Sequence, residues 1–201
     1  MIRSGILLAA LAAAGCSGTP AGDETVLANA VGNDTFVSPN LAGGSWDGVW
    51  KDPAKSIENF RSIGLRPGPY EKKGDVWRSD AQPTPLTDPS SPDPVMAYFT
   101  ATGDEKTIDT VAFTLVEPQM SNDQQARDAF DQWVAQALNQ LGVTGADTAV
   151  KAIHGQKRLE GQLKGGADYK VTRATDGKER RLAVTFTRAA PILNGTDPTQ
   201  S

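Results

Sequence analysis

Four stretches of this chain alternate apolar and polar residues with a period of two, and that pattern most constrains what it can fold into. Val111, Phe113 and Leu115 interleave with Thr110, Ala112 and Thr114; Leu159, Gly161 and Leu163 interleave with Arg158, Glu160, Gln162 and Lys164. Tyr169 and Val171 alternate with Lys170 and Thr172, and Leu182, Val184 and Phe186 with Arg181, Ala183 and Thr185. Successive side chains of a strand point to opposite faces, so each stretch predicts a strand with one buried side and one wet side, the mark of an antiparallel sheet. The clearest strands are expected at Val95 to Thr102 and Thr107 to Glu117, joined at Thr102-Gly103-Asp104-Glu105. Turns at Gly165-Gly166 and Asp176-Gly177 fold the last three strands into a meander, and Tyr70 to Ser79 reads as a hairpin turning at Lys73-Gly74-Asp75.

A sheet with one apolar face needs a cover, and the helical periods supply it. Ala126, Phe130, Trp133, Val134, Ala137, Leu138 and Leu141 draw one stripe along a helix expected from Ser121 to Leu141, capped by Ser121 or Asn122 and stopped by Gly142. A shorter helix runs from residue 53 to 63, with Asp52 as its cap and Pro53 at its first position, and a third covers Asp147 to Ile153. The fold class that follows is α+β: antiparallel hairpins packed by one long helix and one or two short ones. Ile63-Gly64-Leu65 and Leu141-Gly142-Val143 both precede strands, which suggests two pseudo-repeated helix-then-sheet halves. Trp46 and Trp50 are expected to pack down and close the core edge. Five prolines between residues 81 and 94 mark a long loop joining two hairpins.

The first seventeen residues carry an address. Arg3 is followed by apolar Ile6 to Ala14, too short a run to span a membrane, and then by Gly15, Cys16 and Ser17. Ala13-Ala14-Gly15-Cys16 resembles the lipobox of bacterial lipoproteins. That resemblance implies cleavage before Cys16, fatty acylation (palmitate among the chains) at that residue, and a periplasm-facing envelope location, with Ser17 favouring the outer membrane over the inner. The other reading is an ordinary secretory signal cut at Ala12-Ala13-Ala14, leaving a free thiol. On the lipoprotein reading the expected organisation is a signal peptide at 1–15, a lipidated cysteine and flexible tether at 16–45, one domain at 46–190 and a tail at 191–201. With a single cysteine, no internal disulfide is available and the domain must rest on its core.

Charge is unevenly spread. Residues 16–150 hold 9 basic and 19 acidic groups, whereas residues 151–188 hold 10 basic and 4 acidic. The strands of the last third therefore put a cationic face opposite the core, and Arg158, Lys164, Lys170 and Arg181 form the candidate surface for an anionic partner.

Chemistry-bearing motifs are scarce. The one histidine, His154, precedes Gly155 at a predicted helix end, where it suits the terminal carbonyls, and no nucleophile elbow, P-loop, dinucleotide fingerprint or zinc-helix motif occurs. One histidine and one committed cysteine argue against zinc, so no metal and no cofactor are assigned. Asp128 and Asp131, one turn apart, read as a solvated helix face. The expectation is a non-catalytic, membrane-anchored lipoprotein binding an envelope protein or an anionic glycan or lipid, with no nucleic acid among its partners and no catalytic residue. A periplasmic hydrolase using carboxylates, or a carrier of a small apolar ligand, are the alternatives.

Overall fold

A computed structural model describes residues 40–155 and 159–189, and the leader, Cys16, Arg158 and the C-terminal tail lie outside them. The fold is α+β: among the described residues there are four helices and one eight-stranded antiparallel sheet. Helix α1 (Asp47–Trp50) and α2 (Pro53–Ser62) precede β1 (Glu71–Lys73), β2 (Val76–Asp80), β3 (Thr84–Pro85), β4 (Met96–Gly103) and β5 (Ile108–Pro118). Then α3 (Gln124–Leu141) and α4 (Ala146–His154) precede β6 (Leu159–Leu163), β7 (Ala167–Asp176) and β8 (Glu179–Arg188). The strand order is β1-β2-β4-β5-β8-β7-β6, with β3 on the flank of β4. Each half of the chain thus contributes two helices and then a meander, and the two meanders meet through their last strands, β5 and β8.

Local chemistry sets the helix limits. The Asp52 carboxylate accepts the Lys55 N–H at 3.0 Å and so caps α2. Asp123, rather than Ser121 or Asn122, caps α3, because its carboxylate is the one that accepts the Ala126 N–H, at 2.9 Å. Gly142 ends that helix at φ +69°, its N–H bonding Leu138 O and Asn139 O while Val143 N–H reaches back to Leu138 O. The proline-rich stretch differs from a free loop. Thr84 and Pro85 pair with Ala97 and Met96, and the bond from Ala81 N–H to Phe99 O continues the β2 edge along β4.

The core lies between the helices and one face of the sheet. A chain of rings crosses it: Trp50 stacks on Trp46 at 5.2 Å, Trp46 on Phe186 at 4.7 Å, and Phe186 meets Phe113 edge-on, then Phe99, then Phe60. Both indoles are buried and both N–H groups are satisfied, Trp46 by Thr144 O and Trp50 by Gly166 O. Packing begins ahead of Trp46, since Ala42 is buried and its N–H donates to Leu141 O at 2.8 Å. On β6, Gly161 faces Tyr169, whose ring occupies the place of a side chain: a Cβ there would come within 2.9 Å of it.

Candidate functional site

Register decides where charge accumulates. On the helix-covered face, Phe113 of β5 lies beside Val184 of β8 and Val171 of β7, and the next row is Leu115, Leu182 and Arg173. The row after that is Glu117, Arg180 and Thr175. The apolar face therefore ends in charge on three neighbouring strands, one row earlier on β7 than on β5 and β8. The first turns of α3 overhang this end and lower Arg127 onto Glu117. Arg127 donates twice to that carboxylate, from Nε to Oε2 at 3.0 Å and from Nη2 to Oε1 at 3.2 Å, a bidentate pair.

Arg180 completes the cluster. Its Nε lies 3.2 Å from Glu117 Oε1 and its Nη2 donates to the Ser121 carbonyl. The Nε is nonetheless off the hydrogen-bond line and is a buried donor with no hydrogen-bond acceptor in the protein. Only 11% of the Glu117 and Arg127 side chains is exposed, against 35% for Arg180.

Beside this cluster opens a cleft of ≈ 560 Å³, floored by Leu115 and Leu182 and walled by Glu117, Arg127, Arg173, Thr175 and Arg180. That volume is within the ~300–1,000 Å³ of small-ligand sites. Arg127 and Arg180 share the single carboxylate of Glu117, so this wall keeps an excess of positive charge with planar donors suited to a carboxylate or phosphate.

Of the four cations expected to form one face, the three among the described residues border different hollows. Arg158 is outside the described residues. Lys170 projects from the opposite, open face and pairs with Glu160 at 3.4 Å. Lys164 is exposed beyond the end of β6, beside a separate hollow with Trp50, Gly166 and Arg188. Arg181 alternates with Arg180 and Leu182, so its side chain takes the open face; there it pairs with Glu179 at 3.1 Å and borders a second hollow with Tyr98, Thr114 and Val116. Of the three described, Arg181 alone borders the arginine cleft, at its edge. On the open face of the last strands Lys170 and Arg181 are thus each paired with a glutamate, whereas on the helix side Arg127 and Arg180 share one.

Glu117, Arg127, Arg173 and Arg180 were not singled out by the sequence, though alternation carries a signal for three of them. Glu117 is two residues beyond Leu115, Arg173 two beyond Val171, and Arg180 two before Leu182, all in phase with the core. Asp131 also departs from expectation. It is buried rather than solvated, because α4 folds back along this flank of α3, and His154 turns to it, Nδ1 to Oδ2 at 3.1 Å. Burial pushes the Asp131 carboxyl above its usual range, the His154 hydrogen bond and charge oppose this, and the nearby Asp128 adds to the rise.

No family model matches the chain, and no curated protein or solved structure matches it either. Function has to be argued from the geometry. Among the described residues no helix is long and apolar enough to cross a membrane.

Proposed function

We propose that this domain is a non-catalytic binding module whose arginine cleft takes a carboxylate- or phosphate-bearing envelope component, and that fatty acid on Cys16 holds it at the membrane. The observation that carries the reading is the buried Arg180 Nε, a charged donor without a hydrogen-bond acceptor at the wall of a cleft with surplus guanidinium charge. An anionic ligand would give that donor its acceptor and offset the surplus. The single carboxylate of the cleft, Glu117, is bonded by Arg127 and paired with Arg180, which speaks for binding rather than for acid–base chemistry by two carboxyls. The mainly charged wall speaks against an apolar cargo at this place.

The reading is tested by calorimetric titration with inorganic phosphate, and by sedimentation with vesicles of anionic or of zwitterionic lipid, which separates a free anion from a lipid headgroup. Arg173→Glu should weaken phosphate binding about tenfold or more, the scale of one charged hydrogen bond. Lys170→Gln, on the open face, should leave it unchanged. Equal binding by the wild type and Arg173→Glu would remove the cleft as the site. For the anchor, mass spectrometry of the mature N-terminus should find acyl chains on Cys16; an unmodified thiol there would refute it.

A further inference from the structure

The face of the sheet turned away from the helices has a hollow of its own. Along β4 and β5 the residues that alternate with the core include Tyr98, Thr100, Ala112 and Thr114, all half-buried. Register puts Tyr98 beside Thr114, Thr100 beside Asp80 on one flank, and Val116 beside Arg181 on the other. Short side chains therefore surround Tyr98 in the middle of this face, and long charged ones stand at two of its sides. The pairing of β2 with β4 ends at Asp80, and Pro83, just before β3, supplies a further wall. The hollow measures ≈ 520 Å³, within the ~300–1,000 Å³ of small-ligand sites.

Charge balance separates this hollow from the arginine cleft. Two arginines and two carboxylates line it, and each arginine has a carboxylate of its own. Arg78 Nε donates to Asp80 Oδ1 at 2.7 Å and to Oδ2 at 2.8 Å, and Thr100 Oγ1 adds a bond to Oδ1 at 3.1 Å. Across the hollow, Arg181 Nη2 donates to Glu179 Oε2 at 3.1 Å. These pairs orient the four groups without exhausting them. Among the described residues, the Nη groups of Arg78, Oε1 of Glu179 and the hydroxyls of Tyr98 and Thr114 take part in no hydrogen bond. The hollow thus presents fixed donors, fixed acceptors, hydroxyls that do both and an aromatic ring, with no net charge.

We propose that this hollow binds a neutral oligosaccharide. Neighbouring hydroxyls of a sugar each give and take a hydrogen bond, so they match a carboxylate held beside a guanidinium. The C–H side of a sugar ring suits the electron-rich face of a tyrosine, and the Tyr98 hydroxyl adds a polar tip. Other ligand classes fit less well. A free anion would meet Asp80 and Glu179, a cation would meet Arg78 and Arg181, and an apolar molecule would take water from all four charges without replacing its hydrogen bonds. The site is distinct from the arginine cleft, which opens on the helix side, although Arg181 borders both.

The test titrates the full chain with neutral tetrasaccharides that differ in linkage and stereochemistry: cellotetraose, maltotetraose, mannotetraose and tetra-N-acetylchitotetraose. Tetragalacturonate serves as the charged counterpart. The chain has three tyrosines, so ring-labelled tyrosine gives three sets of NMR signals, and Tyr98→Phe identifies those of Tyr98. The expected result is a saturable shift of the Tyr98 signals with at least one neutral tetrasaccharide, and no tighter binding of tetragalacturonate at that ring. Affinity for the same sugar should fall about tenfold or more in Asp80→Ala and in Tyr98→Leu, and about threefold in Thr114→Val, which removes a hydroxyl at nearly constant shape. Arg173→Glu, in the arginine cleft, should bind the sugar as the wild type does. Sedimentation equilibrium without sugar checks the rival occupant, a second copy of the chain. No saturable shift at Tyr98 with any of the neutral tetrasaccharides, wild-type affinity in all three hollow variants, tighter binding of tetragalacturonate at Tyr98, or a dimer that Tyr98→Leu dissolves, each overturns the proposal.

Discussion

Glu117→Gln is the most informative single change, because the same carboxylate holds the cleft together and limits its charge. In the wild type Glu117 takes two hydrogen bonds from Arg127 and an ion pair from Arg180, with both it and Arg127 almost fully covered. Removing one partner from a buried ion pair costs about 3–5 kcal/mol, since a charge is left behind without compensation. Arg180 sees solvent, and its share must be discounted, so about 3 kcal/mol is expected. For a folded unit of this size that is a fall in Tm of about 6–12 °C, measured by scanning calorimetry. Phosphate affinity should move the other way. With the carboxylate gone, Arg127 and Arg180 are no longer neutralised, and an added anion gains on the order of 1 kcal/mol, about fivefold, even at a high effective dielectric. The variant is thus expected to be less stable alone and more strongly stabilised by phosphate. Glu117→Leu combined with Arg127→Met should recover much of the lost stability, because no buried charge of that pair is then uncompensated. A drop in Tm below about 2 °C, or phosphate binding that weakens, would refute both the energetic role given to Glu117 and the site it is said to guard.

Two other predictions concern the frame. The Tyr70 hydroxyl is pushed up to about 12 by burial and by the charges of Asp104 and Asp109, and it bonds to the carbonyls of Asp104 and Thr107. An unfolded tyrosine ionises near 10, so Tyr70 supports the fold below about pH 10 and that support is lost as pH rises toward 12; phenolate absorbance of the wild type against Tyr70→Phe should place its ionisation in the late limb, and an unchanged late limb in Tyr70→Phe would contradict this. Gly142→Ala should destabilise by about 1–2 kcal/mol in chemical denaturation, because φ is +69° there and the new methyl would meet the Asn40 side chain; a neutral effect would mean that the α3 end is not held in this geometry.

Periodicity made the elements readable, and pairing did not follow from it. Val111, Phe113 and Leu115 announce a half-buried strand on their own, and the stripe from Ala126 to Leu141 announces a helix to cover it. What neither stretch states is that β5 takes β8 as its neighbour, across about sixty intervening residues, instead of a strand closer in sequence. That one pairing converts three separate departures from alternation, at Glu117, Arg173 and Arg180, into a cleft wall. The pairing of the cations chosen from composition was hidden for a related reason. Lys170 and Arg181 do lie on the face away from the core, but a count of charge does not show that Glu160 and Glu179 stand beside them and pair with them.

The same reasoning explains why Asp131 looked solvated. Its neighbours in the helix, Asp128 and Gln132, are polar, and only the return of α4 after the turn at Gly142 to Gly145 covers it. A polar residue beside an apolar stripe can be exposed or can be paired, and the local pattern is identical in the two cases. What separates them is whether a second element arrives carrying a complementary group. Here His154 arrives over Asp131 and Arg180 arrives beside Glu117, each from a distant part of the chain. Long-range pairing therefore supplies the chemistry of both places in this fold, while local pattern supplies the scaffold that makes the pairing possible.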